Sequence, residues 1–140
     1  MDLAHVKDAL AKSYFTKFKV RVEVLPEYQK RQAYSDVIRE SQEALELFIK
    51  ALLRHMGHEP SHSHDPGREL LTLKDRVPPH FSPLVDDLAK WSKALRKDRE
   101  LSYYGAADFV PTDNYTETES ADALEFLQLT YKTLVSWRNK

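Results

Sequence analysis

Side chains suited to a buried helix face recur every three or four positions along most of this chain. The pattern is clearest where proline and glycine are absent before Gly57, on a face formed by Tyr34, Ile38, Ser41, Leu45, Phe48, Leu52 and Met56. Such spacing places side chains on one side of an α-helix. Segments 3–25, 84–95 and 121–135 follow the same pattern. We therefore predict an all-α fold, an up-down four-helix bundle with one extra short helix, in a single domain over residues 1–140.

Capping residues predict where several of these helices begin. Asp2 can cap the first helix, and Asp65-Pro66 reads as an N-cap followed by proline at the first helical position of the short helix. Thr116 and Glu119 have the spacing of a capping box, in which each side chain bonds the other residue's backbone N–H. These signals predict a helix after each of the three sites.

Two residues predict helix ends. Gly57 suits the left-handed position that commonly follows the last residue of a helix. Proline lacks the N–H that a helix interior needs, so we expect Pro26 to end the first helix.

Charge and composition exclude several classes of function. The formal net charge is −1, whereas a dedicated duplex-DNA binder usually carries a strong basic excess, so sequence-specific DNA binding is not expected. The chain has no cysteine, which removes disulfides and thiolate metal sites. It has neither a long apolar run nor a signal-peptide pattern at its start, so we expect a cytoplasmic protein that makes no membrane contact.

The second helix contains the segment SQEALELFIKALL at residues 41–53. It resembles the signature helix of the HEPN family, in which a glutamine, a glutamate and a lysine recur before a Lys-Ala-Leu-Leu ending. That family usually continues with a glycine, a proline-containing turn and a His-Asp pair leading a short helix. Gly57, Pro60 and His64-Asp65 follow here in that order. The resemblance implies a structural role for His64 and Asp65.

The polar motif of the family is an arginine followed a few residues later by a histidine. At the matching place this chain has Arg99, and Tyr104 stands near where the histidine is expected. The resemblance, which covers roughly residues 4–138, implies that nucleotide or RNA binds at Arg96, Arg99, Ser102, Tyr103 and Tyr104. Arg99 and Tyr104 are the best candidates for a catalytic role. Because tyrosine has an ordinary pKa of about 10 and is a poor general base at neutral pH, we expect binding rather than cleavage.

The resemblance also implies a homodimer whose two subunits form one cleft. It suggests a minimal nucleotidyltransferase as the partner protein, in a toxin–antitoxin or stress-response setting, and no cofactor. Two other functions stay open. One is a metal-independent ribonuclease that uses His64 or His80 in place of the missing histidine, and the other is a non-catalytic protein-interaction module.

Each candidate residue also has a plainer interpretation. Arg96 and Arg99 lie in the second half of a helix, where cations offset the helix dipole while remaining in water. Glu46 and Lys50, four residues apart, can form a surface ion pair of little energetic weight. Their match to the family helix favours instead a position in a cleft or an interface.

Four histidines fall within ten positions, at 55, 58, 62 and 64. Zinc prefers several nitrogen or sulfur ligands brought together, and His62, His64 and Asp65 could supply some of them. However, this loop lacks the helical-turn spacing of known histidine sites, and His55 belongs to a different element. We therefore predict no metal site.

Overall fold

The computed structural model of the chain describes residues 3–62, 65–103, 105 and 115–138, without the side chains of 98–103 and 138. Within these residues the backbone forms no β-strand and contains five α-helices, namely α1 (Ala9–Lys30), α2 (Tyr34–His55), α3 (Pro66–Thr72), α4 (Val85–Tyr103) and α5 (Glu117–Arg138). Two 3₁₀ segments, Lys74–Arg76 and Ser82–Leu84, connect α3 to α4. None of the helices in this described part is both long and apolar enough to cross a membrane. The predicted all-α fold of four long helices and one short helix is confirmed.

Helix α2 lies at the centre of the bundle. It packs against α1, α4 and α5 along their lengths and also touches α3. The largest fully buried side chains of α2 belong to the core, namely Leu45, Phe48, Ile49, Leu52 and Leu53. A stripe of half-buried polar side chains is left on the side of α2 that borders α4.

The first helix begins later than expected. Its N-cap is Asp8, whose Oδ1 accepts a hydrogen bond of 2.8 Å from the backbone N–H of Ala11. Asp2 lies outside the described residues, and the expectation that it caps this helix is wrong because Asp8 does so. Leu3 and Val6 are buried although they precede the helix, so the apolar spacing there reflects docking onto the core.

Pro26 does not end α1, which continues to Lys30. The expectation was wrong because proline removes one helix hydrogen bond but does not forbid a helix whose packing continues on both sides. Pro26 itself is exposed, while Leu25 is fully buried and Tyr28 packs against the core. The chain turns only after the helix, at Gln32, which has a φ of 62°.

The other predicted boundaries are confirmed by their hydrogen bonds. Thr116 Oγ1 accepts from the backbone N–H of Glu119 at 3.2 Å, and Glu119 Oε1 accepts from the N–H of Thr116 at 3.3 Å. Asp65 caps α3 by accepting from the N–H of Gly67 at 3.0 Å. Gly57, after α2, has a φ of 81°, in the left-handed region that favours glycine.

An aromatic cluster joins the N-terminal segment to the end of α5. The indole of Trp137 lies edge-on to the imidazoles of His5 and His55, with ring centroids 4.3 and 5.0 Å away. Phe15 and Phe81 approach the same indole, with centroid distances of 5.8 and 5.0 Å. Burial lowers the pKa of His55, and the neighbouring His5 lowers it further. The cluster therefore favours the neutral imidazole of His55.

Candidate functional site

A polar groove runs between α2 and α4. Its volume is about 440 Å³, and it is lined by Arg39, Gln42, Glu43, Glu46, Leu47, Lys50, His62 and Arg96. We call it the α2–α4 groove. Positions four residues apart lie on one face of a helix, which is why residues 42, 46 and 50 of α2 line it together. Three of the residues singled out from sequence, Glu46, Lys50 and Arg96, meet here.

The carboxylate of Glu46 is the meeting point of three side chains in the groove. Gln42 Nε2 donates a hydrogen bond of 2.6 Å to Glu46 Oε2. Lys50 Nζ lies 3.4 Å from Glu46 Oε1, and Arg96 Nη1, reaching across from α4, lies 3.8 Å from the same oxygen. Because the Glu46 side chain is only 18% exposed, it belongs to the groove rather than to a solvated surface.

A second carboxylate, Glu43, occupies the groove one helical turn away. It accepts from Arg21 Nη2 at 2.7 Å and from Arg39 Nη1 at 3.0 Å. Burial raises the pKa of Glu43, but the hydrogen bonds and charges of Arg21 and Arg39 outweigh that effect, and the pKa lies below its ordinary value. Glu43 therefore stays ionised and holds both arginines tightly.

The oxygen–nitrogen distances to the neighbouring cations are shorter for Glu43 than for Glu46. The pairs of Glu43 have the short distances of charge-assisted hydrogen bonds. Arg96 Nη1, at 3.8 Å, is too far from Glu46 for a hydrogen bond, and this buried nitrogen has no hydrogen-bond partner among the described residues. Buried donors usually find partners in native proteins, so an unmade bond at this position is a candidate contact for a ligand.

The family comparison covers most of this architecture. A family model described as the HEPN domain matches residues 27–136, from the last turn of α1 nearly to the end of α5. The chain belongs to the HEPN family. Every residue that lines the α2–α4 groove falls inside the matched range. HEPN domains are generally related to nucleotides and RNA. Comparisons with curated proteins and with solved structures gave no match.

Several residues predicted from the HEPN polar motif lie at the edge of what the structure describes. Arg99, Ser102 and Tyr103 belong to the last turns of α4, but their side chains are outside the described part of the structure. Tyr104 and His64 are themselves outside the described residues. The geometry of the site therefore rests on the residues of α2 and on Arg96.

Asp65 connects two helices of the HEPN domain. Besides capping α3, its Oδ1 accepts a hydrogen bond of 3.0 Å from Ser92 Oγ on α4. Gly67 packs directly on α4, since a Cβ at this position would lie 3.0 Å from the Cα of Ala89. Asp65 thus helps to fix α3 against α4, consistent with a structural role.

Sequence reasoning did not select Gln42, Arg39 or Glu43 as site residues. The missed signal was the four-residue spacing that joins Gln42 to Glu46 and Lys50 in the segment that resembles the family helix. Glu43 and Arg39 repeat that spacing on the adjacent strip of the same helix.

His55 and His58, two of the four histidines between residues 55 and 64, have separate surroundings. His58 Nε2 lies 3.4 Å from Glu69 Oε1, which also accepts from the backbone N–H of Ser61 at 3.1 Å. His55 faces Trp137. Within residues 3–62, 65–103, 105 and 115–138, no group of three metal-binding side chains comes together.

In the described part of the structure, α4 also borders two further surface cavities. One, of about 700 Å³ between α3 and α4, has Leu71 and Ala89 on its walls. Its charged lining consists of Arg68, Lys90 and Lys93 together with Asp65 and Asp86. The other, of about 500 Å³ between α4 and α5, lies beside the stacked rings of Trp91 and Phe126. Among the side chains that the structure describes, neither cavity is lined by a residue predicted from the polar motif, but the three cations of the first make it the natural comparison for the groove.

Proposed function

We propose that this HEPN domain binds nucleotides or RNA by placing a phosphate group in the α2–α4 groove. The observation that carries the proposal is the convergence of Lys50 and Arg96, from two helices, on one point of the groove. Arg96 Nη1 in addition has an unmade hydrogen bond there among the described residues. A phosphate oxygen is the acceptor that suits both an ammonium and a guanidinium.

The charge balance of the groove supports an anionic ligand. Its lining includes the three cations Arg39, Lys50 and Arg96 against the two carboxylates Glu43 and Glu46. The groove is thus locally positive, while the chain as a whole has a net charge of −1. A local excess of positive charge in a concave surface attracts phosphates without making the whole protein a general nucleic-acid binder.

Arg99 and the tyrosines extend this proposal toward the end of α4. Arg99 follows Arg96 by three residues, a spacing that places both positions on one side of the helix. We propose that Arg99 binds a second phosphate oxygen and that Tyr103 or Tyr104 stacks on a base, as aromatic side chains do in single-strand binders. With tyrosine near the place of the motif histidine, binding without cleavage is the expected activity.

The proposed assembly is a homodimer in which two grooves face one another. One groove supplies few cations, and a second copy would double the surface available to an RNA strand. A minimal nucleotidyltransferase is the proposed partner protein, in a toxin–antitoxin or stress-response setting. Light scattering of the purified chain, alone and mixed with a candidate nucleotidyltransferase, measures both assemblies.

Fluorescence titration of a labelled single-stranded oligoribonucleotide, with AMP as a second ligand, tests the proposed site. Arg96→Ala should weaken binding by roughly ten- to a hundredfold, since a hydrogen bond to a charged group contributes about 1.5–3 kcal/mol. Two controls remove a positive charge elsewhere: Arg31→Ala, whose side chain is 75% exposed at the end of α1, and Lys90→Ala at the α3–α4 cavity. Both controls should bind nearly as the parent chain does.

The outcomes separate the sites. A greater loss in Lys90→Ala than in Arg96→Ala would place RNA at the α3–α4 cavity and contradict the proposal. Equal losses in all three variants would indicate a response to net charge only. Arg99→Ala should weaken binding more than Lys97→Ala, and incubation with RNA in excess chelator should leave the RNA intact. Cleavage that disappears in Arg99→Ala would make the protein a ribonuclease instead.

A further inference from the structure

We infer that the carboxylate of Glu46 occupies the phosphate position of the α2–α4 groove and that a ligand phosphate binds by displacing it. Glu46 would then compete with the ligand phosphate for this position and so limit the affinity of the groove for the ligand. This inference rests on the proposed function, because it concerns the same groove. It adds a specificity-determining residue that has the same sign of charge as the ligand.

The contacts of Glu46 are those that a phosphate would use. An ionised carboxylate only accepts hydrogen bonds, as the non-bridging oxygens of a phosphodiester do. Glu46 takes one bond from Gln42 and faces the cations Lys50 and Arg96, from opposite walls of the groove. A side chain of the protein itself therefore already occupies the position of the anion among these donors.

The fit of Glu46 to this donor set is incomplete. Its distances of 3.4 Å to Lys50 and 3.8 Å to Arg96 are long compared with the 2.7 and 3.0 Å that Glu43 makes with its arginines. The carboxylate is held on α2 by its own short stem and hydrogen-bonded to Gln42, so it does not close on Arg96. A free phosphate has no such tether, and its oxygens can reach the guanidinium and the ammonium together.

A phosphodiester carries one negative charge like the carboxylate, so the exchange leaves the charge at the bound position unchanged. The displaced Glu46 stays near the mouth of the groove and repels the bound phosphate. Wild-type affinity is therefore lower than the groove cations alone would give. A 5′-monophosphate and an internal phosphodiester share the chemistry that this position recognises, and the ligand used in the experiment distinguishes them.

The decisive variant is Glu46→Gln, which keeps the size of the side chain and one acceptor oxygen while removing its charge. Affinity should rise by roughly three- to tenfold, the size expected from removing one like charge a few ångströms away in a partly solvated site. The titration uses AMP and a 5′-hydroxyl oligoribonucleotide in parallel. A greater gain for AMP assigns the position to a terminal phosphate, and a greater gain for the oligonucleotide assigns it to the RNA backbone.

Matched controls separate occupancy from general charge. Glu43→Gln removes an equal charge from the same groove, and Glu27→Gln removes one from an exposed pair on α1. The first should give a smaller gain than Glu46→Gln, and the second should give none. The gain of Glu46→Gln should disappear when Arg96→Ala is added. Glu46→Asp, which withdraws the carboxylate by one methylene, should show an intermediate gain and provides a second variant if Glu46→Gln folds poorly.

Equal gains in Glu43→Gln and Glu46→Gln would overturn the inference, because the groove would then respond only to its average field. If the wild type binds with dependence on Arg96 but neither Glu46 variant gains affinity, the inference fails and the proposed function stands. If neither the wild type nor any Glu46 variant binds either ligand, both fail. Binding that is undetectable in the wild type but clear and Arg96-dependent in Glu46→Gln would support both.

Discussion

Arg54 donates two hydrogen bonds of 3.0 Å to Asp8, from Nε to Oδ1 and from Nη2 to Oδ2. The pair joins the last turn of α2 to the first residue before α1. Asp8 Oδ1 also accepts the capping bond from the N–H of Ala11. One carboxylate therefore fixes both where α1 begins and how it lies against the central helix.

Acid should weaken the contact between Asp8 and Arg54 as Asp8 becomes protonated. The hydrogen bond from Arg54, followed by that from Ala11, lowers the pKa of Asp8 below its ordinary value of 3.8. A lowered pKa means that the stabilisation is fully present above about pH 4 and is lost as the pH falls through the folded-state pKa. Asp8→Asn, which keeps a capping oxygen, should lower the Tm at neutral pH and should converge with the wild type once the pH falls below the lowered pKa. Asp75→Asn, at an exposed 3₁₀ residue, is the control; a constant Tm difference across the pH range would contradict the assignment.

His55 should contribute a second pH dependence at higher pH. Its pKa is lowered from 6.5, first by burial and then by His5, so the folded state favours the neutral ring. The unfolded chain therefore binds the proton more readily, and stability is full above about pH 6.5 and falls as the pH drops below that value. Urea unfolding between about pH 7.5 and 5 should show this loss, and His55→Gln should reduce it. His62→Gln, at an exposed histidine, should leave the loss unchanged.

The close approach of α3 to α4 depends on a missing side chain at Gly67. A Cβ there would lie 3.0 Å from the Cα of Ala89 and 3.1 Å from the Cβ of Ser92, so these neighbours would have to move by a few tenths of an ångström. Gly67→Ala should destabilise the fold by about 1–3 kcal/mol through overpacking. Denaturant unfolding measures this cost. Arg68→Ala, the adjacent exposed position of the same helix, should change stability little, and a neutral Gly67→Ala would show that α3 can move away freely.

The salt dependence of RNA binding should show how many phosphates the groove contacts. For single strands, the slope of log affinity against log salt concentration changes by about 0.7 for each phosphate contact. Arg96→Ala should reduce the slope of oligoribonucleotide binding by roughly that amount. Arg31→Ala, at the exposed residue that follows α1, should keep the parent slope, and unchanged slopes in both variants would indicate that Arg96 does not contact a phosphate.

Local chemistry made much of the fold predictable. Several helix boundaries depend only on residues close in sequence. Asp65 and the Thr116–Glu119 pair bond backbone N–H groups a few residues away, and Gly57 adopts a positive φ that favours glycine, so their roles can be predicted without the rest of the chain. The prediction that Pro26 ends the first helix was wrong because contacts distant in sequence decide the outcome there. Its local cost is real, but the burial of Leu25 and the packing of Tyr28 are tertiary effects that outweigh it.

The candidate site was only partly predictable because two of the five contacts described for Glu46 and Glu43 join residues that are distant in sequence. Glu46 and Lys50 lie on one helix, and their spacing alone pairs them. Arg96 reaches Glu46 from α4, and Arg21 reaches Glu43 from α1, and neither meeting has a local signature. The family resemblance selected Arg96, whereas Arg21 and Arg39 carry no motif and emerged only from the packing of the helices.

The contact between His5 and Trp137 has a consequence for how the bundle comes apart. Residues near the two extremes of the described chain share one aromatic cluster, so loosening either side exposes the same indole. Removing the segment before α1 and removing the last turn of α5 should therefore have the same effect, and neither helix should fray alone. Unfolding would begin with the separation of the aromatic cluster rather than with the fraying of one terminal helix. The fluorescence of Trp137 would report that first step.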